Sequence, residues 1–140
     1  MATLRLVLVL SLALCCFKLV ADPNKQQLRI IALAPHIVEN LYTIGAGEQI
    51  VGTVEYADFP AAANDIPRIG GHQGIQIEKL LALKPDLVLA WKTGSKTEYL
   101  ARIKSSGIDI MYSDASEVDN VPNDLSRFSE LTGREQAAEA

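Results

Sequence analysis

From Leu28 onward the chain alternates short apolar runs with amphipathic stretches, a pattern that predicts strands and helices in turn. Leu28–Leu33 is apolar but for Arg29, as suits a strand buried on both faces of a parallel sheet. It runs into Ala34-Pro35-His36. Ile37, Val38, Leu41, Tyr42 and Ile44 then recur at helical spacing and predict a helix over Ile37–Ile44, stopped by Gly45–Gly47. A strand Ile50–Val54 follows, then a turn through Glu55-Tyr56-Ala57-Asp58-Phe59-Pro60, and Ala61–Asn64 as a short helical or irregular link. Beyond the glycine-rich stretch Gly70–Gly74 the pattern predicts helix Ile77–Leu83, strand Asp86–Trp91, helix Thr97–Ser105 ended by Gly107, strand Ile108–Tyr112, and helix Asp124–Leu131 closed by Thr132-Gly133. Strands and helices alternating at this spacing predict an α/β fold, a parallel sheet flanked by helices.

Two features of this pattern bear on chemistry. The segment IEKLLALKPDLVLAW carries the chain's single tryptophan, Trp91, to the carboxyl end of a predicted buried strand. In an open α/β sheet that is the side on which ligands bind, although a tryptophan there can also simply cap the core. The second is Gly70-Gly71-His72-Gln73-Gly74, where three glycines in five residues let a ligand approach the main chain, or merely make a tight connection.

The N-terminus has a different character. Met1–Ala21 has Arg5, an apolar run from Leu6 to Phe17, Lys18, no acidic residue and a small residue at Ala21, the layout of a secretory signal peptide cleaved after Ala21. Asp22–Gln27 reads as a polar linker and 28–133 as the folded lobe. Both cysteines, Cys15 and Cys16, lie in the leader, and Leu14 stands where a lipoprotein box carries a small residue, which favours export over lipid anchoring through Cys15. The exported part is then free of cysteine, which excludes disulfides and thiolate metal ligands. Without Arg5 and Lys18, eleven of the thirteen basic residues face seventeen acidic ones, a net charge of −6 with no basic block; nucleic acid is not an expected partner. About 119 residues remain, enough for one core. The strong helix formers of Arg134–Ala140 read as the start of a further helix, and so predict a sequence that belongs to a longer protein.

No enzyme signature accompanies this pattern. Gly45-Ala46-Gly47 lacks the third glycine of the dinucleotide fingerprint, and neither a phosphate-binding Gly-x-x-x-x-Gly-Lys nor a Gly-x-Ser-x-Gly elbow occurs. Asp109 and Asp114 flank a predicted strand and read as edge and turn residues. His36 and His72 both follow strands and could face one cleft, but without His-x-x-x-His or His-Glu spacing no metal site is expected. His36 reads first as a residue of a helix N-terminus.

RIIALAPHIVENLYTIGAGEQIVGT, EYADFP, IPRIGGHQGIQIEKLLALKPDLVLAW and SSGIDIMYSDA, in this order, resemble the N-terminal lobe of the iron-siderophore, haem and cobalamin group of ABC-transporter substrate-binding proteins. ALKPDLVLAW and EYADFP point to its cobalamin-binding members. The resemblance covers Leu28–Ala140 and implies two α/β lobes joined by a long rigid helix, with the ligand held between them without covalent chemistry. It implies that Arg134–Ala140 begins the connecting helix and that the C-terminal lobe is absent.

Carried over residue by residue, Tyr56 and Trp91 match positions whose aromatic faces pack on the corrin ring, and Gly71, Gln73 and Gly74 flank the ligand. His72 stands where cobalamin binders carry another aromatic, a departure that leaves room for haem or a ferric siderophore. Glu78 matches a carboxylate that docks on arginines of the membrane permease; read alone it is a first-turn helix residue favoured by the dipole. The implied protein is a periplasmic monomer that takes cobalamin as cargo, needs no cofactor or metal, and delivers to an ABC permease. An envelope interaction domain without a ligand is the competing class. It predicts that Tyr56, His72 and Trp91 share no surface, whereas a binding lobe places all three on one cleft.

Overall fold

The computed structural model describes residues 27–115 and 118–135; the expected signal peptide, most of the linker and the run from Gln136 to Ala140 lie outside them. The main sheet has four strands, β1 (Ile30–Ala32), β2 (Ile50–Thr53), β5 (Leu87–Trp91) and β6 (Asp109–Ser113), in the order β2-β1-β5-β6, all parallel. A separate antiparallel pair, β3 (Gly70–Gly71) and β4 (Gly74–Ile75), forms a small hairpin. The helices are α1 (Pro35–Thr43), α2 (Ile77–Ala82), α3 (Thr97–Ser105) and α4 (Val121–Thr132).

Side chains that alternate along the strands feed two cores. Ile30 and Ala32 of β1 and Leu87 and Leu89 of β5 pack with Ile37, Val38 and Leu41 of α1 and Phe128 of α4. Ile31 and Val88 point the other way and pack with Ile77 and Leu80 of α2 and Ile103 of α3. Ile30, Ile31 and Ala32 are wholly buried, which is why Leu28–Leu33 reads as an apolar run rather than an alternating one. The sheet is thus covered by α1 and α4 on one face and by α2 and α3 on the other.

Local chemistry sets where the elements turn. Pro35 occupies the first turn of α1, where the missing N–H costs nothing, and Gly45 at φ 73° closes it while the Ala46 amide donates to the Leu41 carbonyl. Pro122 allows α4 to begin at Val121, three residues before the sequence pattern suggests, and Gly133 at φ 70° ends it. Pro85 disfavours helix at Lys84, so α2 stops at Ala82 and the chain reverses into β5. The Arg29 guanidinium secures that reversal by donating to the carbonyls of Leu83 (2.6 Å) and Lys84 (3.0 Å), while the Asp86 carboxylate accepts from the Arg29 amide (2.8 Å).

The remaining elements match the pattern to within one or two residues, as expected where helix and strand ends fray. The link after Pro60 is a short 3-10 helix, Ala61–Asp65, and further 3-10 turns occupy Gly47–Gln49 and Val118–Asn120. Gly70–Gly74, read as a close approach for a ligand or a tight connection, belongs to a hairpin of two-residue strands with His72 and Gln73 at its tip.

Leu89 lies at the centre of this arrangement, fully buried on β5 between β1 and β6. Leu89→Ala should lower unfolding free energy by about 2–5 kcal/mol, read as a fall in the denaturant midpoint at unchanged slope.

Candidate functional site

The strand order reverses at β1: the chain leaves β1 for β2 on one side and returns to β5 on the other. At such a switch point the connections diverge and leave a crevice beyond the carboxyl ends of the two central strands. A cleft of about 460 Å³ occupies that position. Its floor is Leu33, Ala34 and Pro35 after β1 and Leu100 and Tyr99 of α3, with Val54, Glu55 and Tyr56 on one side, Gly71, His72 and Ile75 from the hairpin, and Trp91, Gly94, Ser95 and Lys96 on the other.

Tyr56, Gly71, His72 and Trp91 therefore meet on one cleft, the arrangement that separates a binding lobe from an interaction domain without a ligand. Gly74 lies just behind the lining: its Cα has φ 140°, and a Cβ there would fall 2.4 Å from the Tyr99 hydroxyl. Gln73 is exposed at the hairpin tip and is not part of the lining. Glu78 sits outside the cleft, in the first turn of α2, with 84% of its side chain exposed and Arg102 of α3 at 3.5 Å.

The aromatic groups are presented rather than buried. Tyr56 is 76% exposed and its backbone is left-handed, at φ 65°. A bulky residue holds that conformation only where its surroundings enforce it, and such strain gathers at functional sites. Trp91 stands at the last position of β5, 37% exposed, its indole edge-on to the His36 ring at a centroid distance of 5.7 Å and 82° between planes. Gly94 makes room for the indole, because a Cβ there would lie 1.8 Å from the ring. Lys96 rests its ammonium 5.9 Å from the centre of the Tyr99 ring at the cleft's edge.

Beneath Trp91 lies a polar chain. His36 Nε2 is 3.1 Å from Ser113 Oγ, and the Ser113 hydroxyl donates to Asp124 Oδ2, which also accepts from the Asp114 amide. Ser113 and Asp124 are buried, and Arg127 lies 3.6 Å from the other Asp124 oxygen. Asp114, read from sequence as a turn residue, also pairs with Lys92 at 3.2 Å. Burial holds the His36 imidazole below its ordinary pKa of 6.5, against the opposing pull of the Asp124 and Glu39 carboxylates. Among the described residues no three His, Cys, Asp or Glu side chains converge as a metal site would require.

Of the two histidines that the sequence allows to face one cleft, His72 lines it and His36 stands behind Trp91; sequence reasoning missed the Ser113 partner of His36, Gly94, Lys96 and the second role of Tyr99. Tyr99 was legible as part of an apolar helix face, but its reach to the hairpin was not.

A sheet of this order with an aromatic cleft at its switch point has the layout expected of a ligand-binding lobe. A family model described as periplasmic binding protein matches residues 30–140, and the chain belongs to that family. It is 35% identical over 137 residues to the vitamin B12-binding protein of Pectobacterium atrosepticum, covering 98% of this chain and 48% of the relative. Against the vitamin B12-binding protein of Vibrio cholerae the identity is 35% over 138 residues, covering 95% and 50%. The solved periplasmic vitamin B12-binding protein of Vibrio cholerae superposes with a TM-score of 0.72 at 38% identity, over 81% of this chain and 46% of that one. A periplasmic haem-binding protein from Pseudomonas aeruginosa shares the fold, with a TM-score of 0.74 at 20% identity over 81% and 41%. The chain spans about half the length of the curated relatives it matches.

Gly94 offers a direct check on how the indole is seated. Gly94→Ala should push Trp91 off His36 and shift its emission, while unfolding free energy, measured in parallel, changes by less than about 0.5 kcal/mol at this exposed position.

Proposed function

We propose that this chain supplies one wall of a cobalamin site in a periplasmic binding protein, and that the complete protein hands cobalamin to an ABC permease without transforming it. The observation that carries this reading is the convergence of Tyr56, His72 and Trp91 on the switch-point cleft, on a chain 35% identical to vitamin B12-binding proteins. A broad, flat, weakly charged macrocycle is best held by aromatic and apolar surface with a few polar groups to orient it, and this lining offers that mixture. Tyr56 and Trp91 would present faces to the ring, and His72 with Gly71 would contact its edge. Gln73 and Gly74 serve the hairpin that carries His72, with Gln73 free to reach ligand outside the cleft. Cobalamin is cargo in this reading, not a cofactor.

One wall does not enclose a ligand, and sites of full affinity cover about 70–90% of a small ligand's surface. The opposing wall would come from the half of the relatives' length that this chain does not span. The organisation follows the resemblance: signal peptide to Ala21, linker to Gln27, binding lobe 28–133, and the first residues of a connecting helix from Arg134. Glu78, exposed on α2 and away from the cleft, would meet a cationic patch on the permease while ligand occupies the site.

Haem is the second reading, favoured by the exposed His72 imidazole, which is suited to an iron that cobalamin binding would not present. Titrating Trp91 emission with cyanocobalamin and with haem, corrected for inner-filter absorption, separates the two. Saturable quenching by cobalamin is expected, weakened roughly two- to tenfold in Tyr56→Ala, as the ~0.5–1.5 kcal/mol of an aromatic contact implies. Quenching by haem alone, with a Soret shift lost in His72→Ala, would move the assignment to haem. Silence toward both would overturn this wall as a binding surface.

Docking is tested separately. In the complete protein, Glu78→Arg should leave cobalamin affinity unchanged and reduce uptake, since exposed charge steers an encounter more than it adds affinity. Equal loss of binding and uptake would remove Glu78 from the docking surface.

A further inference from the structure

We propose that His36 is a positioning residue for the cleft, holding the Trp91 indole in its ligand-facing pose through a buried Ser113–Asp124 relay, and that a ligand covering that indole binds best while the His36 ring is neutral. The valences of the chain of hydrogen bonds fix its direction. The Asp124 carboxylate oxygen accepts, so the Ser113 hydroxyl donates to it and the Ser113 oxygen is left to accept from His36 Nε2–H at 3.1 Å. The neutral imidazole is thereby locked in the Nε2–H tautomer and in one ring orientation. That orientation is the one that sets the His36 plane at 82° to the indole. The anchor is firm: Ser113 and Asp124 are buried, and Asp124 is tied to α4 by its own backbone and to β6 through the Asp114 amide.

A proton added to His36 goes to Nδ1 and makes the ring a cation. The charged groups around it are Glu39 one turn along α1, Asp124 and Arg127 from α4, and Lys92 and Asp114 at the ends of β5 and β6. Asp124 is shared with Arg127, and Asp114 with Lys92, so the nearby carboxylates are partly compensated. Burial dominates and favours the neutral ring. A ligand laid over Trp91 removes more water from this corner and favours the neutral ring further. By linkage, affinity should be full above pH 6.5 and fall as His36 takes up its proton at lower pH.

The ring-setting stands on geometry alone; the consequence for affinity rests on the cobalamin reading above. The test begins without ligand. Because imidazolium in contact with indole quenches its fluorescence, emission from the chain's single tryptophan should drop in one step, with its midpoint below pH 6.5. His36→Gln should abolish the step and His72→Gln should keep it. Ser113→Ala, which frees the imidazole, should move the midpoint and broaden the emission band. As a check that needs no variant, the His36 ring protons of the unaltered chain should show ring-current shifts in NMR and titrate at the same midpoint. A step that survives His36→Gln, or His36 resonances without ring-current shift, would overturn the proposal. Cyanocobalamin affinity should then fall between pH 7.5 and 5 in the unaltered chain and stay level in His36→Gln. Equal falls in both would overturn the linkage to binding. Absence of binding at every pH, with the ligand-free step intact, would sink the cobalamin reading and leave the positioning role standing.

Discussion

The burial of β1 on both faces is the constraint on which this structure depends. Ile30, Ile31 and Ala32 have no exposed surface, and they hold that state only because α1 and α4 cover one side of the sheet and α2 and α3 the other. A strand so enclosed must lie inside the sheet, with β2 on one flank and β5 on the other. The chain must then diverge where β1 ends, and the crevice follows from the divergence rather than from any residue lining it. Leu33, Ala34 and Pro35 are at once the exit of β1, the entry to α1 and the floor of the cleft.

Strain is distributed in keeping with that division. Among the described residues two non-glycine positions have positive φ, Tyr56 and Lys84. Lys84 belongs to the reversal between α2 and β5, where its carbonyl and that of Leu83 are held by the Arg29 guanidinium. Tyr56 lies in the turn that follows β2. Its backbone is left-handed, at a cost on the order of 1–3 kcal/mol, and its largely exposed ring stands in the lining of the cleft. The hairpin glycines are used in the same way, since at Gly70 and Gly74 a side chain would strike the Gly74 carbonyl and the Tyr99 hydroxyl respectively.

Most of the fold and part of the site were legible in the residues. Long apolar runs, helical periodicity and Gly or Pro at the boundaries report directly on the two-faced sheet, and the single tryptophan at a strand end marked the cleft. The hairpin was not legible, because strands of two residues are too short to show alternation. His36 was legible as a residue that could face the cleft, but its partner was not. Its place after Pro35 is fully explained by helix geometry, and what makes it more is Ser113, seventy-seven residues away in sequence. Nothing local to either residue announces the pairing; it exists because β6 lies next to β5 and ends level with Trp91. Gly94 is similar, an ordinary turn residue until the indole beside it is seen to need its missing side chain.

These same contacts explain why the arrangement suits holding a molecule more than changing one. The His36, Ser113 and Asp124 groups resemble a set for proton transfer, but the serine stands between the other two, its proton is directed at the carboxylate, and its side chain is wholly buried. An activated nucleophile needs the opposite order, with the base on the hydroxyl and the oxygen facing the substrate. What reaches the cleft from this network is not a reactive atom but the indole that His36 abuts. Rigid aromatic surface, fixed before a ligand arrives, reduces the ordering cost of association, and that is the property a capture protein needs.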